Sequence, residues 1–399
     1  MYLELSTSQR EKFIRKTATI FCKEQEIGVY FDFPLSVKED ITDLADPFVI
    51  SMIFIMMQLG GGRIEVRGAD ISPSLKDNML RLSRLWHKWF PDLYKEVYLQ
   101  GNEVEVTRAA NNYAISTFSG GLDSTFLNYL CCKKLDQQIN YDLKRAVLIH
   151  GADIPITDSS GFNAVQSKVK MMSDDLALEL VIVGTNIRDY LINWGHAHGA
   201  VIAGILNFFS KSFSYGVTCD YSTLSCTIPN GFNPFTNKYL TTDNFNFVLE
   251  GTEYTRTERA NIIKDWKVAL ENLHVCWENS DNSKNCGICE KCVRTKLNFK
   301  VVGVDHLDCM PFDLSLSQIL KDSLVTTPHT SDYYKEALFF GVEHQTIPLE
   351  WVEQLRKQIN RWERLTNSAS SFTVELYKVL LQIYRKISLK KKTRKYRAK

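Results

Sequence analysis

From about residue 111 the chain alternates short apolar runs with helix-length segments. NYAISTF, RAVLIHG, LELVIVGTN and YGVTCDY read as buried strands, and DSTFLNYLCCKK, FNAVQSKVKMMSDDLALE and HAHGAVIAGILNFFSKS lie between them. Parallel neighbours in a sheet cannot be joined by a tight turn, so each strand leads to the next through a crossover that covers a face. The pattern therefore predicts an α/β fold: a parallel sheet with helices on both faces. Ligands of such sheets sit beyond the carboxyl ends of the strands. Three loops leave those ends: SGGLDS (119–124), HGADIP (150–155) and GTNIRD (184–189).

The first loop has the chemistry of an anion site. Gly120 and Gly121 lack a Cβ, so an oxyanion reaches the backbone. The following helix adds N–H groups and the positive end of its dipole. Ser119 and Ser124 add hydroxyls. A carboxylate at Asp123 makes sense beside phosphates mainly with a divalent cation between them. The alternative is a tight Gly-Gly turn with Ser or Asp capping the helix, but the full string after a strand favours phosphate. The chain has no Gly-Lys dipeptide, hence no Walker A lysine, and no strand-linked G-x-G-x-x-G. An ordinary kinase or motor ATPase and a dinucleotide-binding enzyme are both disfavoured.

A second pattern, CWENSDNSKNCGICEKCVRTK, has Cys276, nine intervening residues, then Cys286-x2-Cys289-x2-Cys292. Four thiolates at this spacing surround one tetrahedral zinc, and the absence of a fifth ligand fits a closed structural site. An iron–sulfur cluster shares the same ligand set, and free buried cysteines are the bland alternative. The remaining cysteines are scattered, which reads as a reducing compartment rather than a disulfide framework.

The string SGGLDS resembles the pyrophosphate loop (PP-loop) of the ATP-pyrophosphatase superfamily, which cleaves ATP between the α- and β-phosphates and transfers AMP to a carbonyl or carboxylate oxygen. Loop and four cysteines together resemble the 7-cyano-7-deazaguanine synthase (QueC) family over roughly residues 112 to 300. The match is closer to the long QueC-like proteins of bacterial anti-phage defence operons of the Qat type, through HGADIP, TNIR, HGA and the cysteine segment. The resemblance implies an adenine nucleotide alpha-hydrolase-like fold. It also implies an ATP-dependent C–N bond-forming ligase that activates a carboxylate, on a 7-deazaguanine, with release of AMP and pyrophosphate before an amine attacks. It implies ATP, Mg²⁺ and Zn²⁺ as cofactors. Nucleotide binding falls to Phe118, Ser119, Gly120, Gly121, Leu122, Asp123, Ser124 and Thr125, with Asp123 and Ser124 catalytic. The aromatic-Gly-Gln-x-His stretch associated with the biosynthetic enzymes is absent; HGADIPITD stands there instead. ATP chemistry is thus expected, and the small-molecule product is open. An RNA sulfur transferase of the same superfamily and a non-catalytic scaffold in a defence complex are the alternatives.

Three further residues are substrate candidates. Asp153 faces a ligand or caps the turn before Pro155. Arg188 follows a strand and suits a carboxylate or phosphate oxygen, as well as a surface ion pair. Arg256 opens a helix-like run, where a cation is disfavoured by the dipole. His196 and His198 read as packing or capping residues, Cys131 and Cys132 as core, and 221–239 as a substrate lid.

Three segments are expected: an N-terminal α/β extension (1–110), the PP-loop domain with its cysteine knuckle (111–305, knuckle at 276–292), and a helical extension (306–399). The first contains strands at ATIFC, GVYFDF and RIEVRG, a helix started by Asp46-Pro47 and stopped by LGGG, an amphipathic helix, and a hairpin at 95–106. The run PFVISMIFIMMQL is shorter than the about 20 residues a membrane span needs and reads as a buried helix. With no signal-peptide core at its start, the chain reads as cytoplasmic. Residues 385–399 carry nine Lys or Arg and no acid, leaving a net charge of −7 on the rest of a +2 chain. The tail suits nucleic acid or an acidic partner, or is a solvated helix end; the body does not suit a broad nucleic-acid footprint.

Overall fold

The computed structural model describes residues 1–23, 25–219, 229–276, 279, 281–311 and 328–368. In chain order its elements are β1 (Tyr2–Gln9), β2 (Phe13–Cys22), β3 (Gln25–Pro34), α1 (Asp46–Gln58), β4 (Gly62–Arg67), α2 (Pro73–Trp89), β5 (Val97–Gln100), β6 (Tyr113–Thr117), α3 (Leu122–Cys132), β7 (Asp142–His150), α4 (Ser159–Asp175), β8 (Glu179–Thr185), α5 (Trp194–Asn207), β9 (Tyr215–Thr218), α6 (Pro234–Asn237), β10 (Asn246–Leu249), α7 (Arg256–Ile263), α8 (Lys267–Asn272), α9 (Glu290–Val301), α10 (Pro328–Glu343) and α11 (Leu349–Ser368). The chain falls into two compact units. One holds residues 1–119, 127–219 and 229–252, the other 120–126 and, among the described residues, those from 253 on.

The first unit is an α/β structure around one ten-stranded, mostly parallel sheet of order β10-β9-β6-β7-β8-β3-β2-β1-β4-β5. The segment boundary expected near 110 falls inside this sheet, because β3 hydrogen-bonds β8 antiparallel through Phe31↔Thr185 and Asp32↔Gly184. From β6 the strand order runs to β7 and β8, then returns to β9 on the other side of β6. Right-handed crossovers then put α5 on the face opposite α4. The reversal leaves a crevice point between the carboxyl ends of β6 and β9, where Thr117 and Thr218 meet through their hydroxyls at 3.1 Å.

The apolar run at 47–59 is α1, buried along its length, as its composition suggests. It packs against α5, and Gly204 lets the two backbones approach: a Cβ there would sit 2.0 Å from Ser51 Oγ and 2.5 Å from the Pro47 carbonyl oxygen. Asp46 does not cap this helix. Ala45 is the N-cap, and the Asp46 carboxylate, fully buried, accepts the Ser72 backbone N–H at 2.9 Å. The rings of Phe31, Phe48 and Phe208 meet edge-on or tilted at 4.9–6.0 Å, tying β3, α1 and the end of α5 into one core.

One expectation needs correction, and two strands are new. No hairpin forms at 95–106: Val97–Gln100 pairs parallel with β4, and α2 supplies the crossover that a parallel pair requires. Strands β1 and β10 are additional. The first shows only Leu3 and Leu5 to the core and the second only Phe247, too few inward apolar positions to register as a pattern.

The second unit is helical around a cysteine knuckle, with α7, α9 and α10 in mutual contact and α11 against α10. The helical extension expected from 306 on supplies α10 and α11. Residues 369–399, with the basic tail, lie outside the described residues. Among the described residues no helix is long and apolar enough to cross a membrane.

Candidate anion site and metal centre

The loop expected to bind phosphate leaves strand β6 at the reversal point. Gly120 adopts φ +80°, open to glycine without strain. Its carbonyl accepts the His274 N–H at 2.8 Å. Helix α3 starts at Leu122, with the Thr125 N–H bonded to the Gly121 carbonyl at 3.0 Å and Ser124 Oγ donating to the same oxygen at 3.2 Å. Asp123 therefore sits in the first turn. The rest of the string is less accessible than its motif suggests. Phe118 and Leu122 are fully buried, as is Thr125, while Ser119 is exposed. Phe118 donates its backbone N–H to Val147 in the sheet at 2.8 Å.

The structure brings Asp123 together with two arginines, one of which the sequence reading missed. Arg256 Nη1 donates to Asp123 Oδ2 and Arg259 Nη1 to Oδ1, each at 2.7 Å. The guanidiniums are 1% and 0% exposed, so these are interior ion pairs. Burial pushes the Asp123 carboxyl up; the charges of Arg256 and Arg259 outweigh this and hold it below the ordinary carboxylate range. Helix α7 positions both arginines, one turn apart on one face. Its start is fixed by a capping box in which Thr255 Oγ1 accepts the Glu258 N–H and Glu258 accepts the Thr255 N–H. The i, i+3 spacing of Arg256 and Arg259 was the available signal for the second cation.

This set decides what Asp123 attracts. Two guanidiniums against one carboxylate leave an excess positive charge, which draws an anion and repels a lone divalent cation. A magnesium ion fits at Asp123 only in company with phosphates that reverse the local sign.

The four cysteines converge as their spacing predicts. Their sulfurs lie within 4.8 Å of one another, with Cys276–Cys289 at 3.7 Å and Cys286–Cys292 at 4.0 Å. A tetrahedral zinc with bonds of about 2.3 Å requires sulfurs about 3.8 Å apart, so the donor set fits. Backbone N–H groups of Cys289 and Cys292 point at Cys286 Sγ (3.2 Å) and Cys289 Sγ (3.4 Å), and Gly287 turns the knuckle at φ +72°. Asn285 fastens it: its Oδ1 accepts from the Val275 and Cys276 N–H groups, and its Nδ2 donates to Leu273 and Cys309 carbonyls, all within 2.8–3.1 Å. Cys289 is also the N-cap of α9.

The other candidates serve the first unit's own structure. Arg188 donates to the Ala152 carbonyl and, at 3.3 Å, to that of Asp153, and lies over the Trp194 ring. It clamps the 151–155 loop, on which the Asp153 side chain is exposed. His196 stacks on Phe90 at 4.5 Å with the Tyr94 hydroxyl 3.0 Å from Nδ1; His198 bonds the Trp194 carbonyl. Both sit among packing partners. The lid candidate at 221–239 is described only from 229, where α6 and a short 3₁₀ turn follow.

Comparison with protein-family models, with curated proteins and with solved structures gave no match. The class defined by fold and site is thus an α/β protein with a glycine loop at its sheet's reversal point, a buried arginine–aspartate cluster, and a four-cysteine centre that fits zinc.

Proposed function

We propose that this protein is an ATP-dependent enzyme that activates a carboxylate as its adenylate, releases pyrophosphate, and passes the acyl group to an amine. The observation that carries this reading is the placement of Ser119–Ser124 at the end of β6, beside the strand-order reversal, where α/β sheets bind nucleotides. Gly120 and the start of α3 suit an oxyanion, and the Arg256–Asp123–Arg259 set supplies the positive charge that a departing pyrophosphate needs. Magnesium, entering with the nucleotide, would neutralise phosphate charge between Asp123 and the ligand. The substrate class favoured by the sequence resemblance is a 7-deazaguanine carboxylate. The amine is ammonia or, in a defence setting, an amine of a partner macromolecule.

The sulfur-transfer alternative needs a reactive thiolate beside the loop. The two cysteines of α3 are poor candidates, because burial pushes both thiols up, Cys132 to about 11 and Cys131 further. No observation favours the scaffold reading over catalysis.

The deciding assay incubates the protein with ATP and 7-carboxy-7-deazaguanine, with and without ammonia, and reads products by mass spectrometry. AMP, pyrophosphate and a new deazaguanine species are expected, and all should vanish in a folded Asp123→Ala control. ADP with phosphate, or no turnover with any carboxylate offered, would sink the proposal.

A further inference from the structure

We propose that Arg256 and Arg294, both packed against the Tyr333 ring, form a buried subsite for a phosphate-type oxyanion. The inference starts from donors that the protein itself does not use. Arg256 is 1% exposed and spends Nη1 on Asp123, but its Nε and Nη2 have no hydrogen-bond partner. Those two atoms share one edge of the guanidinium, the edge whose N–H bonds run parallel and grip two oxygens at once. The same protein shows what that edge does when occupied: Arg15 holds Asp32 through Nε and Nη2, each at 2.7 Å. In Arg256 the corresponding fork is buried and makes no hydrogen bond.

Arg294 repeats the anomaly from α9. It is 7% exposed, and its Nε makes no hydrogen bond. Its ion-pair partner, Glu290 Oε1, stands 3.4 Å away and is likewise without one. Its guanidinium lies 4.0 Å from the centre of the Tyr333 ring, and that of Arg256 lies 5.5 Å from the same centre. Two cations on one ring, each with unmatched donors, are stable in a dry interior only with compensation. The local charges agree. The charges of Arg256, Arg259 and Lys291 all act on the one carboxylate of Asp123. An oxyanion with more than one negative charge meets both demands, and a phosphate group presents oxygens to the Arg256 fork and to Arg294 Nε together.

This subsite rests on the PP-loop reading, since Asp123 anchors both, and it names which groups would hold the phosphates farthest from the nucleoside. The test is calorimetric binding of inorganic pyrophosphate, AMP, ATP and 7-carboxy-7-deazaguanine to the full-length protein and to Arg256→Lys and Arg294→Lys. Lysine keeps the charge and removes the fork. Zinc content and melting temperature report folding. Pyrophosphate and ATP should bind about ten- to a hundredfold more weakly to each variant, with AMP unchanged. A folded Arg256→Lys with undiminished pyrophosphate affinity overturns the subsite. So does a loss confined to the carboxylate compound, which would assign the fork to the acyl substrate. If one variant misfolds the other decides; if both do, the arginines are structural and the proposal fails. Pyrophosphate binding without any AMP formation from ATP leaves the subsite standing and removes the adenylation reading. AMP formation with binding indifferent to both variants does the reverse.

Discussion

At the scale of single residues, Asp123 is both a candidate catalytic group and the counter-charge of two buried arginines. Removing it strands both, so Asp123→Ala should lose about 3–5 kcal/mol of stability, read from urea unfolding. An unchanged midpoint would mean that the guanidiniums find other partners. Because the folded-state pKa of Asp123 is depressed, the pairing contributes above the ordinary carboxylate range and is lost as pH falls through the lowered value. Asp46 behaves oppositely. Burial pushes its carboxyl up to about 6, against the hydrogen bond from Ser72. The folded state then holds the proton more tightly than the unfolded chain, so stability falls as pH rises from about 4 to about 6. Asp46→Asn should abolish that slope and gain about 3 kcal/mol at pH 7. Identical slopes in denaturant titrations at pH 4.5, 5.5 and 7.5 would refute the assignment.

Among the elements, α9 links the metal centre to the arginine cluster. It begins at the Cys289 cap, contains Cys292, and carries Arg294 less than one turn further on. The purified protein should contain one zinc per chain by elemental analysis. Cys292→Ala should lose it and lower the helical signal in circular dichroism. Retention of stoichiometric zinc by the variant, or iron in the wild type, would contradict this. The cysteine motif was legible from spacing alone, because a metal knuckle is a local structure. The arginine cluster was not: Arg256, Arg259 and Arg294 are far from Asp123 in sequence, and the only traces were Arg256 as a cation at the wrong end of a helix and Arg259 three residues on along the same face.

For the whole molecule, the decisive feature is that the residues before 110 are built into the same sheet as the glycine loop's strand. Beyond the β3–β8 pairing, α1 covers α5, and Phe31 and Phe48 pack on Phe208. A chain beginning at residue 111 would expose the apolar face of α5 and leave β8 as a raw edge. It should aggregate or show no cooperative melt. A monomeric, sharply melting truncation would show that the extension is dispensable.

The amino-acid sequence by itself determined the strand–helix rhythm, the glycine turn ahead of α3 and the four-cysteine knuckle, since each is written in periodicity or short spacing. It did not reveal β1 and β10, whose few inward side chains gain meaning only beside their neighbours, nor that Val97–Gln100 turns to β4 in parallel rather than to its own continuation. Only the tertiary structure decided that two arginines share Asp123, that Arg188 clamps a loop, and that a guanidinium edge stands buried and unmatched. The physical reason is the range of the forces involved. Turns and metal knuckles are set by neighbours along the chain, whereas buried charge is set by whichever distant segments the fold brings together.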